Sequence, residues 1–186
     1  MASIKEKIAY ALGDAAAGGI VWKVMSIAFP LFFTNVFGLS FADAAVLMLV
    51  ARMFDVVTDP LMGSLADRTQ SRFGTYRPWL IFGAIPFGLI FALLLYTPDF
   101  GPVGKRIYAY TLYLLMMAVY TMVNVPYGSL LGVMTDDANE TNQFSSFRMV
   151  GAYAMGFITL LSFPYLQKMV GGTDAHQYAV IGAVLG

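Results

Sequence analysis

Stretches of about 20 mainly apolar residues, each long enough to cross a bilayer, recur along this chain and limit what it can fold into. Five are complete, at about 9–37, 43–66, 78–97, 107–133 and 148–170; a sixth begins at 177 and runs to 186. Hydrocarbon offers no water to unpaired N–H and C=O groups, so a spanning segment must satisfy its backbone internally. Continuous apolar runs of this length do so as helices. The expected fold class is therefore all-α: a polytopic membrane helical bundle of five full spans plus a partial sixth. Composition agrees, with 59% hydrophobic and 12% charged residues against roughly 25% charged in soluble domains. Such hydrophobicity excludes intrinsic disorder. Eleven basic residues balance eleven acidic ones without a basic patch, so nucleic acid is not an expected partner. Cysteine is absent and His176 is the one histidine, which removes thiolate and multi-histidine metal sites. No cofactor is expected. The first apolar run is too long for a signal-peptide core, so no cleaved signal is read.

Lys and Arg near the segment ends set the orientation. A cytoplasmic N-terminus places Lys5, Lys7, Arg68, Arg72, Arg77 and Arg148 inside, and Lys105, Arg106 and Lys168 outside. Six against three favours that arrangement. The last segment, YAVIGAVLG, covers about half a span, so the sequence reads as the front of a longer chain.

The charges that fall inside the segments are the informative ones: Asp14, Lys23, Arg52, Asp55 and Asp59, with Arg148 at the head of the fifth. Each costs at least ~2.5 kcal/mol at a bilayer centre, so such residues face an interior and by default carry function. In ARMFDVVTDP, Asp59 lies roughly 40° around the helix from Asp55, and Arg52 about 60° to the other side. Two carboxylates one turn apart repel unless a cation or proton lies between them, which suits reversible capture of Na⁺ or H⁺. Pro60 leaves the Val56 carbonyl without its helical donor, a further oxygen for a hard cation. Against this stands a static packing network of the same charges.

A second constellation, YTMVNVPYGS, offers Tyr120, Thr121 and Asn124 ahead of Pro126, which frees the Met122 carbonyl. Polar, broken helix at membrane depth is tolerated where it lines a cavity; polar packing between helices is the competing reading. In the first segment Asp14 stands among Gly13, Ala15, Ala16, Ala17, Gly18 and Gly19, small residues that allow either close helix packing or room for a ligand; Trp22 offers a ring for stacking on a sugar, with core packing as the competing reading. Lys23, nine residues after Asp14, falls on the opposite side of an ideal helix.

The stretch DPLMGSLADRTQSRFGTYRPW, Asp59 to Trp79, resembles the signature of the glycoside–pentoside–hexuronide cation symporters, the melibiose-permease branch of the major facilitator superfamily. GSLADRTQSR is similar to the superfamily loop between its second and third helices, with Asp67, Arg68 and Arg72 as gating-loop charges. YALGD and VNVPYGSL are further matches, and Arg148 fits the family's basic residue near helix five. The resemblance implies a twelve-helix transporter with cytoplasmic termini, of which this chain is the N-terminal six-helix half. It implies a cation site at Asp55 and Asp59 with Thr121, and Thr58 beside them. It also implies a sugar pocket drawing on helix one around Gly18, on helix four and on Arg148. With Asn124, Tyr120, Asp14 and Trp22 these form the expected substrate contacts.

Some positions depart from the pattern. Thr58 stands where the melibiose permease has asparagine, which leaves Na⁺, Li⁺ and H⁺ open. Asn124 and Gly18 replace its sugar-binding aspartates and Gly128 a tryptophan, so pentosides, xylosides or glucuronides are favoured over galactosides. The expected function is cation-coupled symport of a sugar or glycoside in a bacterial inner membrane, with membrane lipids and the missing C-terminal half as partners. The alternatives are a sodium-coupled lysolipid symporter and a non-transporting half-transporter fragment. An intramembrane aspartyl protease is disfavoured, because Asp55 and Asp59 share one helix.

Overall fold

The computed structural model describes residues 3–185, which form six helices and, among the described residues, no strand. They are α1 (Ile4–Val36), α2 (Phe41–Asp67), α3 (Arg77–Leu94), α4 (Pro102–Met134), α5 (Ala138–Val170) and α6 (Asp174–Leu185). Four of them, α1, α3, α4 and α5, are long and apolar enough to cross a membrane. Helix α2 has the length, at 27 residues, but Arg52, Asp55 and Asp59 interrupt its apolar run. Helix α6 has 12 residues.

Several helices run past the apolar stretches read from sequence. Helices α4 and α5 have 33 residues each, about 50 Å at 1.5 Å per residue, against a hydrocarbon core of about 30 Å. Helix α5 begins at Ala138, ten residues before the apolar stretch 148–170 read from sequence. Asp137 caps it by accepting from the Asn139 N–H at 2.9 Å, and Glu140 lies in its first turn, where a carboxylate complements the helix dipole. Hydropathy marks where lipid begins; capping marks where the helix begins. Helix α1 likewise starts at Ile4 with a capping box between Ser3 and Glu6.

Helix α1 is not regular. Ala15–Val21, Val24–Ala28 and Phe32–Val36 are wound as π-helix; the Trp22 N–H, for example, bonds to the Ala17 carbonyl five residues back. Each added residue in such a turn rotates the chain by less than the 100° of an α-helix.

In the bundle α1 packs on α5, α2 and α3 on α4, and α6 on α3 and α5. At one end Phe29, Phe32 and Phe33 of α1, with Phe37 just after it, are fully buried in one cluster with Phe91, Leu94, Tyr113 and Met116. At the other end Tyr10, Tyr127, Leu131 and Phe144 form a smaller apolar cluster. The Tyr10 and Tyr127 rings stack at 4.8 Å, and each hydroxyl donates to the other residue's backbone carbonyl. This interlock fixes α1 against α4. Between the two apolar clusters, along α1 from Asp14 to Lys23, lies the polar middle of the bundle. Large apolar side chains such as Ile85, Phe82, Phe157 and Val150 point outward, as lipid-facing or partner-facing positions require.

Candidate functional site

Two polar groupings occupy that middle zone. The first joins α2 to α4. The Thr121 hydroxyl, buried on α4, donates to Asp59 Oδ1 at 2.9 Å. Asp55, one turn before Asp59, lies with Oδ2 3.6 Å from Arg52 Nη1, while its Oδ1 is buried and without a hydrogen-bond donor. A buried, unsatisfied carboxylate oxygen is costly and marks the place where a cation or proton would be best received. Thr58 lies between the two aspartates in sequence, and its hydroxyl donates to the Phe54 carbonyl at 3.0 Å, which leaves its lone pairs as the group on offer. Among the described residues no group of three or more His, Cys, Asp or Glu gathers, so the donor set consists of two carboxylates with hydroxyls.

The second grouping is a cavity of about 230 Å³ lined by α1, α4 and α5: Asp14, Gly18, Trp22, Lys23, Tyr120, Asn124, Arg148, Met149, Ala152 and Tyr153. All six substrate contacts expected from sequence meet here. Asp14 is buried, with Oδ2 3.7 Å from Arg148 Nε. Gly18 sits one turn after Asp14, and a Cβ there would come within 2.9 Å of the Asp14 carboxylate, so glycine keeps the carboxylate open to the cavity. Trp22 stacks on Tyr120 with centroids 5.0 Å apart, and the Arg52 guanidinium lies 4.8 Å over the Trp22 ring. Arg52 therefore touches both groupings: Asp55 on one side and the cavity aromatics on the other.

The structure corrects one placement. Lys23 does not lie opposite Asp14; both line the same cavity. Seven intervening residues are π-wound, and their smaller rotation per residue, with the reach of the lysine stem, returns Lys23 to that face. Sequence reasoning also missed Met149, Ala152 and Tyr153. Ala152 follows Arg148 by one helical turn, a spacing that signals a shared face.

Asp67 at the end of α2, and Arg68 and Arg72 in the loop that leads to α3, are exposed. Asp67 accepts from the Tyr76 hydroxyl at 2.8 Å, a bond that pushes the Tyr76 phenol above its ordinary pKa. Trp79 Nε1 donates to Thr69 at 3.1 Å. Arg72 lies 4.7 Å over the Phe73 ring. Gly74 turns the loop at φ 95°, a value that a side chain would strain. At the far end of α2, Asp43 pairs with Arg106 of α4 at 3.0 Å.

A bundle of apolar, membrane-length helices with two polar groupings set between them defines an integral membrane protein by class. The sequence profile of the family described as MFS/sugar transport protein matches residues 9–185, and the chain belongs to that family. It is 44% identical over 185 residues to YagG of Escherichia coli K12, provisionally named a glycoside/cation symporter; the match covers 99% of this chain and 40% of that protein. The inner membrane symporter YicJ of the same organism is 44% identical over 92% of this chain and 37% of its own length. The isoprimeverose transporter of Lactiplantibacillus pentosus is 30% identical over 97% and 38%. The chain thus spans about two fifths of the length of these relatives.

Proposed function

We propose that the chain is the N-terminal half of a secondary transporter that couples the entry of Na⁺ or H⁺ to symport of a sugar or glycoside. The observation that carries this reading is the adjacency of the two polar groupings. Asp55 and Asp59, with Thr121 and Thr58, form the cation site; Asp14, Gly18, Trp22, Tyr120, Asn124 and Arg148 form one wall of the sugar site. A pocket of about 230 Å³ is smaller than the 300–1,000 Å³ of complete small-molecule sites, as fits one wall closed by the C-terminal half. Hydroxyl-rich substrates match an amide, a phenol and a carboxylate–guanidinium pair, each of which donates or accepts. The names of the relatives, a glycoside/cation symporter and an isoprimeverose transporter, support the same class.

The partners are then a small sugar or glycoside, a monovalent cation, membrane lipids and the missing half. The N-terminus and the 67–77 loop face the cytoplasm of a bacterial inner membrane, with Asp67, Arg68 and Arg72 gating that side. The protein is a transporter and carries out no covalent chemistry. The test is uptake by the full-length carrier in proteoliposomes, with a panel of labelled pentosides, hexosides and glucuronides under an imposed Na⁺ or H⁺ gradient. Accumulation that follows one gradient is the expected outcome; uptake indifferent to both gradients for every glycoside would sink the reading.

A further inference from the structure

We propose that Lys23 is a specificity-determining residue of the cavity and that it selects glycosides bearing an anionic substituent, such as a carboxylate on the sugar ring. The proposal rests on reading this cavity as the sugar site. Lys23 is half-buried within a membrane-length helix, where an ammonium ordinarily acquires an anionic partner. Among the described residues none stands within ion-pair distance: the carboxylate of the cavity, Asp14, is paired with Arg148 instead. The ammonium lies 4.9 Å over the Tyr153 ring, a contact that orients a cation without neutralising it. Its stem rests on Gly156, where a Cβ would come within 2.6 Å of Lys23 Cγ. The residue is thus seated from below by a glycine and held from the side by an aromatic face, with its charge directed to the cavity it lines.

The charge count of the cavity points the same way. Lys23 and Arg148 are cationic and Asp14 is anionic among the lining residues, an excess of one positive charge. A neutral sugar leaves that excess in place. A substrate carboxylate pairs with it and gains a charge-assisted hydrogen bond, about twice as strong as a neutral one. Asn124, Tyr120 and the Asp14–Arg148 pair remain for the hydroxyls.

The test uses a matched pair of ligands, a methyl glucuronide and the methyl glucoside that differs only in having CH₂OH for the carboxylate. Binding is measured on the full-length carrier by displacement of a labelled glycoside. Wild type is expected to hold the uronide at least ~10-fold tighter. Lys23→Gln should abolish that preference by weakening the uronide while moving the glucoside less than about threefold, and Lys23→Arg should retain it. Equal loss of both ligands in Lys23→Gln, with Lys23→Arg no better, would make Lys23 a packing residue and overturn the proposal. So would a wild type that prefers the glucoside, or one that binds neither ligand while still transporting another neutral glycoside on an ion gradient; in both results the transport reading survives. Failure of wild type to bind or transport any glycoside would overturn the transport reading as well.

Discussion

Thr121 is a buried hydroxyl whose value lies in one contact, the 2.9 Å bond to Asp59. That bond orients a carboxylate oxygen across the interface of α2 and α4. Thr121→Val keeps the shape and removes the donor. A hydrogen bond to a charged group is worth roughly 1.5–3 kcal/mol, so the cation concentration for half-maximal coupling should rise by about 10-fold or more. Sugar binding in the absence of a gradient should change little. Flux measured against cation concentration in the full-length carrier checks this, and an unchanged half-saturation point would detach Thr121 from the cation. Asp59→Cys is the harsher change. It should abolish ion-driven accumulation while sparing sugar exchange, which needs no net cation movement; unchanged uphill transport would remove Asp59 from the coupling site. On the other side of the bundle, Asn124→Ala should weaken the preferred sugar by about 5- to 150-fold, the cost of roughly 1–3 kcal/mol for a lost polar contact. Calorimetric titration measures it, and wild-type affinity in that variant would reduce this part of α4 to scaffold.

At the scale of the element, α1 and α5 approach closely because small residues line their contact. A Cβ on Gly19 would come within 2.9 Å of Met155 Cβ and 3.0 Å of the Ala152 carbonyl, and one on Gly151 within 3.1 Å of the Ala11 carbonyl. Backbone atoms cannot swing aside as a flexible side chain can. Gly19→Val should therefore lower stability by about 1–3 kcal/mol through overpacking, seen as a lower midpoint of thermal unfolding in detergent. Gly132, also helical but with nothing within 4 Å of its would-be Cβ, is the control: Gly132→Ala should be neutral or stabilise by up to ~1 kcal/mol through helix propensity. If the two substitutions behave alike, the close approach of α1 and α5 is not what holds them. The π-winding of α1 belongs to the same scale. It changes which residues share a face, and so brings Lys23 to the cavity beside Asp14 and Gly18.

For the whole molecule, the order of zones along α1 sets the architecture: a tyrosine interlock, then the polar cavity, then a phenylalanine-rich end. If the N-terminus is cytoplasmic, as proposed, the 67–77 loop lies at the inner surface. Ser71→Cys in the full-length carrier should then react with an impermeant maleimide in inverted vesicles and not from outside intact cells; labelling only from outside would reverse the topology. The number of helices, the helical class and the family were all legible in the sequence. Apolar length is a property of consecutive residues, and the bilayer turns it directly into a helix. The adjacency of Asp55 and Asp59 was legible for the same reason, because a regular helix fixes the angle between residues four apart. Other relations depended on distance in space rather than along the chain. The start of α5 at Ala138 follows from a cap and not from hydropathy. The bond from Thr121 to Asp59 spans 62 positions, and the pair of Asp14 with Arg148 joins helices from opposite ends of the chain. Lys23 shows the division most clearly: its residue type was plain, but its face was decided by a change of winding in α1, and a count that assumes regular α-helix puts it on the wrong side.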